Sequence, residues 1–501
     1  MLNLLEQYKK IIELDSISEK GNEGIVNHLT LLLRDIGLKV QLQQVMHSIE
    51  DVSKRQFNLI GILGDPLVDR KTKKGLLLSS ALDTMSPGIL NRWSEVAGKP
   101  LQAEINEGKI FGLGANSSKL DFLCKLMAVR KFKEKKLKTP VYLVGTAGSE
   151  LEMLGVKYLV QSLVLNPKFV IVGEPTELKL VYQHKSLCSF KISVRYQLIK
   201  KDARGFNRQI ALSSLGQIAH SAHPKLGKNA IFQLFDLLKL AEENGFEFRF
   251  TRFSGGEKAI RVPDFAQASV FVSSHQFEDF KQFFFEMTNR IPDPSIFAME
   301  VSSATEWGVQ FLPEELFSCL IYIENFLIDL EKQLEQCPEK YQEKYYDTSF
   351  NPPFSTVNLY SLNQTHNGLD LYFDLRLLPS VSIQEFRPLL QQKMDQLATH
   401  FPNLNLSLML EKFYPPLTTN LESDLIKHCQ GAMDLAGLPF GFLKKSSFTE
   451  AAIYHQAGFE AVAFGAGVAF GVSSSPNEYN LLDHLDKAIL FYEKLIERVC
   501  L

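Results

Sequence analysis

Apolar positions recur about every 3.6 residues over 25–36, and Gly37 follows, so the pattern predicts an amphipathic helix that ends at that glycine. Short, nearly continuous apolar runs come next, at 57–63, 75–81, 141–146 and 169–172, with the last two bounded by turn or polar residues. Helical periodicity stands between them, near 122–131 and 153–163. A parallel strand covered on both faces reads as a continuous apolar run, and parallel neighbours need a helical crossover. The first part of the chain therefore predicts a doubly wound α/β sheet.

After Pro175 the pattern changes to longer, alternating strands, as at 180–182 and 189–196, with a helix at 229–242. From Phe413 onward the α/β alternation returns: a helix at 423–436, a strand at 461–465 and a closing amphipathic helix at 483–499. The order predicts an α/β domain of residues 1–184 and 413–501, interrupted by an inserted α+β lid of residues 185–412. Within the insert, a helix, a loop, a strand and a helix occur at 229–287 and again at 316–394. Internal duplication and chance similarity of α+β segments both account for that. Residues 337–353 are charged and end in Asn351-Pro352-Pro353, which predicts a surface loop.

The 501 residues are 45% hydrophobic and 22% charged with a formal net charge of -3, so a nucleic-acid surface or an anionic-membrane surface is not expected. The basic run at 131–138 reads as a solvated helix end. The six cysteines are scattered singly with no C-x-x-C pair, which removes zinc-finger and thioredoxin-type readings and predicts reduced thiols. The N-terminal residues form a mixed-charge amphipathic pattern, without the basic start and apolar core of a signal peptide. No apolar run is long enough to span a bilayer. A cytoplasmic location is expected, with no membrane and no nucleic-acid partner.

Six short motifs stand in order: Leu14-Asp15-Ser16-Ile17-Ser18; Gly112-Leu113-Gly114-Ala115 after Trp93, Pro100 and Gly108; Gly173-Glu174-Pro175-Thr176; residues 216–231, with His220-Ser221 and Pro224; Asp374-Leu375-Arg376; and Ser475-Pro476-Asn477-Glu478. Together they resemble the superfamily of zinc aminoacylases, acetylornithine deacetylases, succinyl-diaminopimelate desuccinylases and carboxypeptidase G over nearly the whole chain. The resemblance implies a zinc-peptidase-like catalytic domain with a central mixed sheet and a ferredoxin-like lid. In shorter relatives that lid dimerises and sends a histidine to the partner's site. A doubled lid, as in the dipeptidase branch, can supply the histidine within one subunit. Gly255-Gly256 and Pro263-Asp264-Phe265-Ala266 are similar to a motif of that branch, without its asparagine. Monomer and homodimer both remain open.

The resemblance also implies a site, and here the chain departs from the family. In active relatives five side chains hold two zinc ions and a glutamate serves as general base. The two histidine positions fall on Ala81 and Ser474, the bridging carboxylate on Ser117 and the base on Ser149. Two carboxylates at ligand positions remain, Glu150 and Glu174. An alanine methyl cannot bind a metal, and two zinc ions without the bridging carboxylate repel each other with little compensation. Asp83 and Glu450 are expected beside the ligands rather than among them, and Asp83 reads equally as a turn cap. His220, Arg376 and Asn363 fall at or near positions that contact substrate. The other reading of His220 is loop architecture, and that of Arg376 a surface salt bridge. The further serines Ser79, Ser80, Ser118, Ser446, Ser447, Ser473 and Ser475 are expected to fill the vacated space with polar groups.

The implied function is a homologue of metallopeptidases and deacylases that has lost di-zinc amide hydrolysis, expects no cofactor where active relatives use zinc, and keeps a cleft for a small carboxylate or peptide. One alternative is an active hydrolase with a single metal on Glu150, Glu174 and further ligands. Another is an assembly protein that uses the lid. A serine nucleophile activated by His220 has no G-x-S-x-G elbow to support it.

Overall fold

The computed structural model describes residues 3–46, 55–65, 74–150, 152–162, 165–198, 205–256, 261–302, 309–336, 342–473 and 475–501. The chain divides into two compact units, Met1–His184 with Leu417–Leu501, and Lys185–Pro416. The first unit opens with α1 (Leu4–Glu13), α2 (Glu23–Asp35), β1 (Lys39–Val45), β2 (Gln56–Leu63) and β3 (Leu76–Ala81). It continues with β4 (Glu104–Asn106), β5 (Lys109–Phe111), α3 (Ser118–Arg130), β6 (Val141–Thr146), α4 (Leu154–Ser162), β7 (Phe169–Gly173) and β8 (Leu180–His184). The second unit runs β9 (Leu187–Arg195), β10 (Phe206–Leu215), α5 (Ala230–Glu243), β11 (Arg249–Gly255), β12 (Phe265–Ser273), α6 (Phe277–Arg290) and β13 (Phe297–Ser302). It closes with α7 (Glu315–Glu335), α8 (Gln342–Tyr345), β14 (Thr356–Thr365), β15 (Gly368–Arg376), α9 (Ile383–His400) and β16 (Asn405–Tyr414). The chain then returns to the first unit through β17 (Leu417–Thr418), α10 (Asp424–Leu435), β18 (Phe442–Lys445), α11 (Ala451–Gln456), β19 (Glu460–Phe464), β20 (Tyr479–Leu481) and α12 (Leu482–Cys500).

The first unit is built on a mixed sheet in the order β1-β2-β6-β3-β7-β19-β8-β17, with β18 also on β8. Its centre, β6-β3-β7-β19, is parallel, and β1 and β2 join antiparallel at one side. Four parallel strands end at the same sheet edge, and the residues that follow them emerge there together. That edge receives Asp83 after β3, Ser149 and Glu150 after β6, and Glu174 after β7. The apolar runs read from the sequence become these strands because each is buried over nearly its whole length. Helix α3 is buried almost all round, polar residues included, and packs with β3, β6 and α12 in one core.

The second unit is one eight-stranded sheet, β13-β10-β12-β11-β14-β15-β9-β16. It is made of two halves joined where β11 pairs β14 at Ser254 with Asn363 and Gly255 with Leu362. One half is β10-α5-β11-β12-α6-β13. The other begins with β9 and resumes after the first is complete, as α7-β14-β15-α9-β16. Counted from its own start, each half has the same strand order, 4-1-3-2, so the helix–strand–strand–helix pattern seen twice in the sequence is one topology built twice. Phenylalanines fill the core of the first half against α7, with Phe250, Phe253 and Phe317 rings 4.9 to 6.1 Å apart.

The structure moves two expected boundaries. The return to the first unit comes at Leu417 rather than 413, because Phe413 and Tyr414 still pair with Cys188 and Leu187 in β16. The segment expected as a surface loop, 337–353, lies outside the described residues over 337–341; beyond that it holds α8 and buries Phe350. The cysteines among the described residues, Cys124, Cys188, Cys319, Cys429 and Cys500, are free and buried. Among the described residues no helix is long and apolar enough to cross a membrane.

Candidate functional site

At the C-terminal edge of the parallel strands, Asp83 is 3% exposed and fully engaged. Its Oδ2 accepts from Ser18 Oγ at 2.5 Å and from the Glu150 amide at 3.1 Å, and its Oδ1 accepts from the Ser149 amide at 3.1 Å. Burial raises its pKa, and these bonds oppose the rise. Asp83 therefore ties the turn after β6 to the end of β3. Ala81 stands opposite Thr146 across the β3–β6 pair and offers no donor atom. Ser117 caps α3, and its hydroxyl donates to the Gly114 carbonyl at 2.9 Å. Ser474 lies outside the described residues.

Glu174, the first residue after β7, accepts from the Lys445 ammonium at 3.0 Å. Lys445 is the last residue of β18 and is 5% exposed. Glu450, at the N-cap of α11, is 2% exposed and accepts from Thr146 Oγ1 with both oxygens, at 3.0 and 2.9 Å. Burial pushes its pKa up to about 8, against the Thr146 hydrogen bond. Glu150 reaches solvent, and partial loss of hydration, followed by the charges of Asp83, Glu174 and Glu478, raises its pKa. The Ser475-Pro476-Asn477-Glu478 motif proves to be a clamp. Asn477 holds Ser94 Oγ and the Glu95 amide, and Glu478 accepts from the Gly114 amide.

Beneath the edge lies a buried polar floor. Lys125 Nζ is 2.8 Å from Asp121 Oδ2 and donates to the Ser79 carbonyl at 2.5 Å and Ser80 Oγ at 3.0 Å. Tyr492 donates to Asp121 at 2.7 Å, and the Ser79 and Tyr454 hydroxyls lie 3.0 Å apart. Gly173 has no room for a side chain here, since a Cβ would sit 2.3 Å from Asp121 Oδ2 and 2.9 Å from Lys125 Nζ. Several of the serines expected to line open polar space are engaged in hydrogen bonds instead: Ser80 with Asp121 and Ser118 with the Gly173 carbonyl inside the fold, and nearer the surface Ser473 with Asn116 and Ser475 with the Val472 carbonyl. Sequence reasoning missed Lys125, Asp121 and Lys445. Buried cations carry no local motif, and only the apolar neighbours of Lys125 in α3 hinted that it is buried.

In the second unit the other expected residues partly meet. Arg376, at the end of β15, is fully buried, with Nε and Nη2 donating to Ser221 Oγ at 3.2 and 2.7 Å and Nη2 3.9 Å from Asp374. It is not a surface salt bridge. Ser221 belongs to the loop between β10 and α5, next to His220, which is exposed and accepts from the Ala222 amide at its Nδ1. Burial pushes Asp374 up to about 6, against the pull of Arg376. Lys185, also buried, donates to the carbonyls of Pro352 and Phe354, and burial followed by Arg376 lowers its pKa to about 7. Asn363 stands apart, exposed on β14 and bonded to Ser361 Oγ.

The donor set at the sheet edge does not fit a pair of zinc ions. At the positions that the resemblance implies for ligands, Ala81 offers a methyl, Ser117 turns its hydroxyl onto a carbonyl, and Glu174 already holds an ammonium. Among the described residues no three His, Cys, Asp or Glu side chains come together as a metal-holding group. The family is nevertheless plain. The model of peptidase family M20/M25/M40 matches residues 77–498. The chain belongs to that family. Acetylornithine deacetylase of Yersinia pseudotuberculosis is 31% identical over 233 residues, 45% of this chain and 52% of that protein, and that of Buchnera aphidicola is 27% identical over 243 residues, 47% and 54%. This M20 chain thus spans about half the length of the curated relatives it matches. Among solved structures, aminoacylhistidine dipeptidase from Vibrio alginolyticus aligns with a TM-score of 0.60 at 13% identity, covering 99% of this chain and 96% of that one. An M20 family metallo-carboxypeptidase from Sulfolobus solfataricus aligns at 0.57 and 17%, covering 100% and 99%. At these identities the structural matches carry the fold alone.

Proposed function

We propose that this M20 protein no longer performs di-zinc amide hydrolysis and acts as a binding protein for a small carboxylate or a peptide. The observation that supports this reading is the spent donor set at the sheet edge. A hydrolytic zinc needs three protein ligands and an open position, and it needs a base near its water. Here Ala81 supplies no ligand, Ser117 bonds to its own loop, and Ser149 stands at the base position with a hydroxyl in place of a carboxylate. The binding half of the proposal rests on the second unit, where the buried Arg376 fork and the loop of His220 and Ser221 are joined by hydrogen bonds. A guanidinium fork suits a carboxylate, and His220, next to the buried Ser221, is exposed.

The test is elemental mass spectrometry of the purified protein after incubation with excess zinc and desalting, followed by assays on acetylornithine and aminoacyl-histidine dipeptides. The expected result is near-zero zinc and no hydrolysis. One or two zinc ions per chain with metal-dependent hydrolysis would overturn the proposal. A variant carrying Ala81→His, Ser117→Asp, Ser149→Glu and Ser474→His should regain zinc if only the ligands were lost.

A further inference from the structure

We infer that Lys445 is a built-in cation that takes the place of a metal ion on Glu174. This deepens the reading of a metal-free site and rests on it. Carboxylates crowd this edge: Glu150 reaches solvent, and the others have partners within the fold. Asp83 is met by a hydroxyl and two backbone amides, and Glu450 by Thr146. Glu478 takes the Gly114 amide. Of the other buried lysines of this unit, Lys125 is committed to Asp121, and Lys119 feels Glu478 and Asp15. Glu174 is left with Lys445, 3.0 Å away, and nothing else among the described side chains bonds its carboxylate.

The placement is costly unless it does something. A lysine 5% exposed at the end of an edge strand gives up most of its hydration, and only an ion pair offsets that. β18 carries exposed Phe442 and half-buried Lys444 outward, with Lys444 over the Tyr182 ring, and turns Lys445 in. A zinc ion would sit about 2.0–2.2 Å from a carboxylate oxygen. An ammonium already 3.0 Å from Glu174 Oε2 competes for the same oxygen and repels a second cation. The pair therefore does two things at once: it neutralises a carboxylate left over from the family's ligand set, and it closes that oxygen to metals.

Four variants test this by thermal melting: Lys445→Met, Lys445→Arg, Glu174→Gln, and Lys445→Met with Glu174→Gln. The expected result is a melting temperature lowered by at least about 3 °C in Lys445→Met, the loss of the buried partner of a partly buried pair. Lys445→Arg should retain most of the stability. The double variant should recover at least half of the loss. Millimolar zinc should leave the unmodified protein unmoved, and the variant that restores Ala81→His, Ser117→Asp, Ser149→Glu and Ser474→His should retain more zinc with Lys445→Met added than without it. An unchanged melting temperature in Lys445→Met, strict additivity in the double variant, or equal zinc retention by the ligand-restored variant with and without Lys445→Met would each overturn the inference. Hydrolysis of an amide by the unmodified protein, with these stability results intact, would instead overturn the loss of activity and leave the surrogate cation standing.

Discussion

Replacing Lys125 with methionine should be among the most damaging single changes in the first unit. The Lys125 and Asp121 side chains are 0% and 3% exposed, 2.8 Å apart and one turn apart on α3. The lysine also donates to the Ser79 carbonyl and Ser80 Oγ in the strand that leads to Ala81. Methionine keeps roughly the same volume but none of the three donors. It leaves Asp121 buried with hydrogen bonds from Ser80 and Tyr492 and no cation. Breaking a buried pair at one partner costs about 3–5 kcal/mol. At about 2–4 °C per kcal/mol for a large domain, the melting temperature should fall by roughly 6–20 °C. Adding Asp121→Asn removes the stranded charge and keeps groups that can bond Ser80 and Tyr492, so the double variant should be more stable than Lys125→Met alone. The assay is the urea midpoint at constant m-value for both variants. A cost below about 1 kcal/mol for Lys125→Met, or a double variant no better than the single, would refute the claim that this pair is a buried, charged floor under the site.

Two further outcomes are expected. Burial, with Asp236 next, raises Glu324 on α7 to about 8 from 4.5. A carboxyl whose folded pKa is raised gives stability that is fully present below 4.5 and lost as pH rises through about 8, because the unfolded chain releases the proton first. Stability of the second unit should therefore decline from about pH 5 to pH 9, and Glu324→Gln should flatten that slope in urea midpoints; an unchanged slope would sink the assignment. Asp83→Ala removes the acceptor of three bonds, worth about 2–3 kcal/mol together. Hydrogen exchange at the Ser149 and Glu150 amides should then quicken markedly, and unchanged exchange would show that the turn after β6 is held by something else.

The parts of the fold that are legible from sequence are those that repeat a period. The strands at Val141–Thr146 and Phe169–Gly173 and the helix at Asp424–Leu435 announce themselves, because burial on a regular element forces apolar residues into a regular spacing. The lid boundary falls four residues beyond its expected place, since β16 alternates through Tyr414 and nothing local marks the crossing to Leu417. Arg376 reads equally as a carboxylate grip or a surface pair, because one residue type serves both and only its fully buried place beside Ser221 separates them. Ser79, Ser80 and Ser118 read as lining for an empty site; their hydroxyls bond Tyr454, Asp121 and the Gly173 carbonyl, partners far away in the chain.

By itself the sequence determined the apolar periods that build two kinds of sheet and six motifs in order, and through the family resemblance it implied four positions, Ala81, Ser117, Ser149 and Ser474, where active relatives carry metal and base chemistry. Tertiary structure alone decided what the remaining charges do. Lys445 and Glu174 are 271 positions apart in the chain, and Asp83 meets the amides of Ser149 and Glu150 across 66 and 67 positions. No local propensity encodes such pairs. They exist because the parallel strands finish at one edge and β18 delivers a lysine to the end of β7. Burial there makes an unpaired charge too costly to leave, so the fold selects a partner for each of the buried carboxylates.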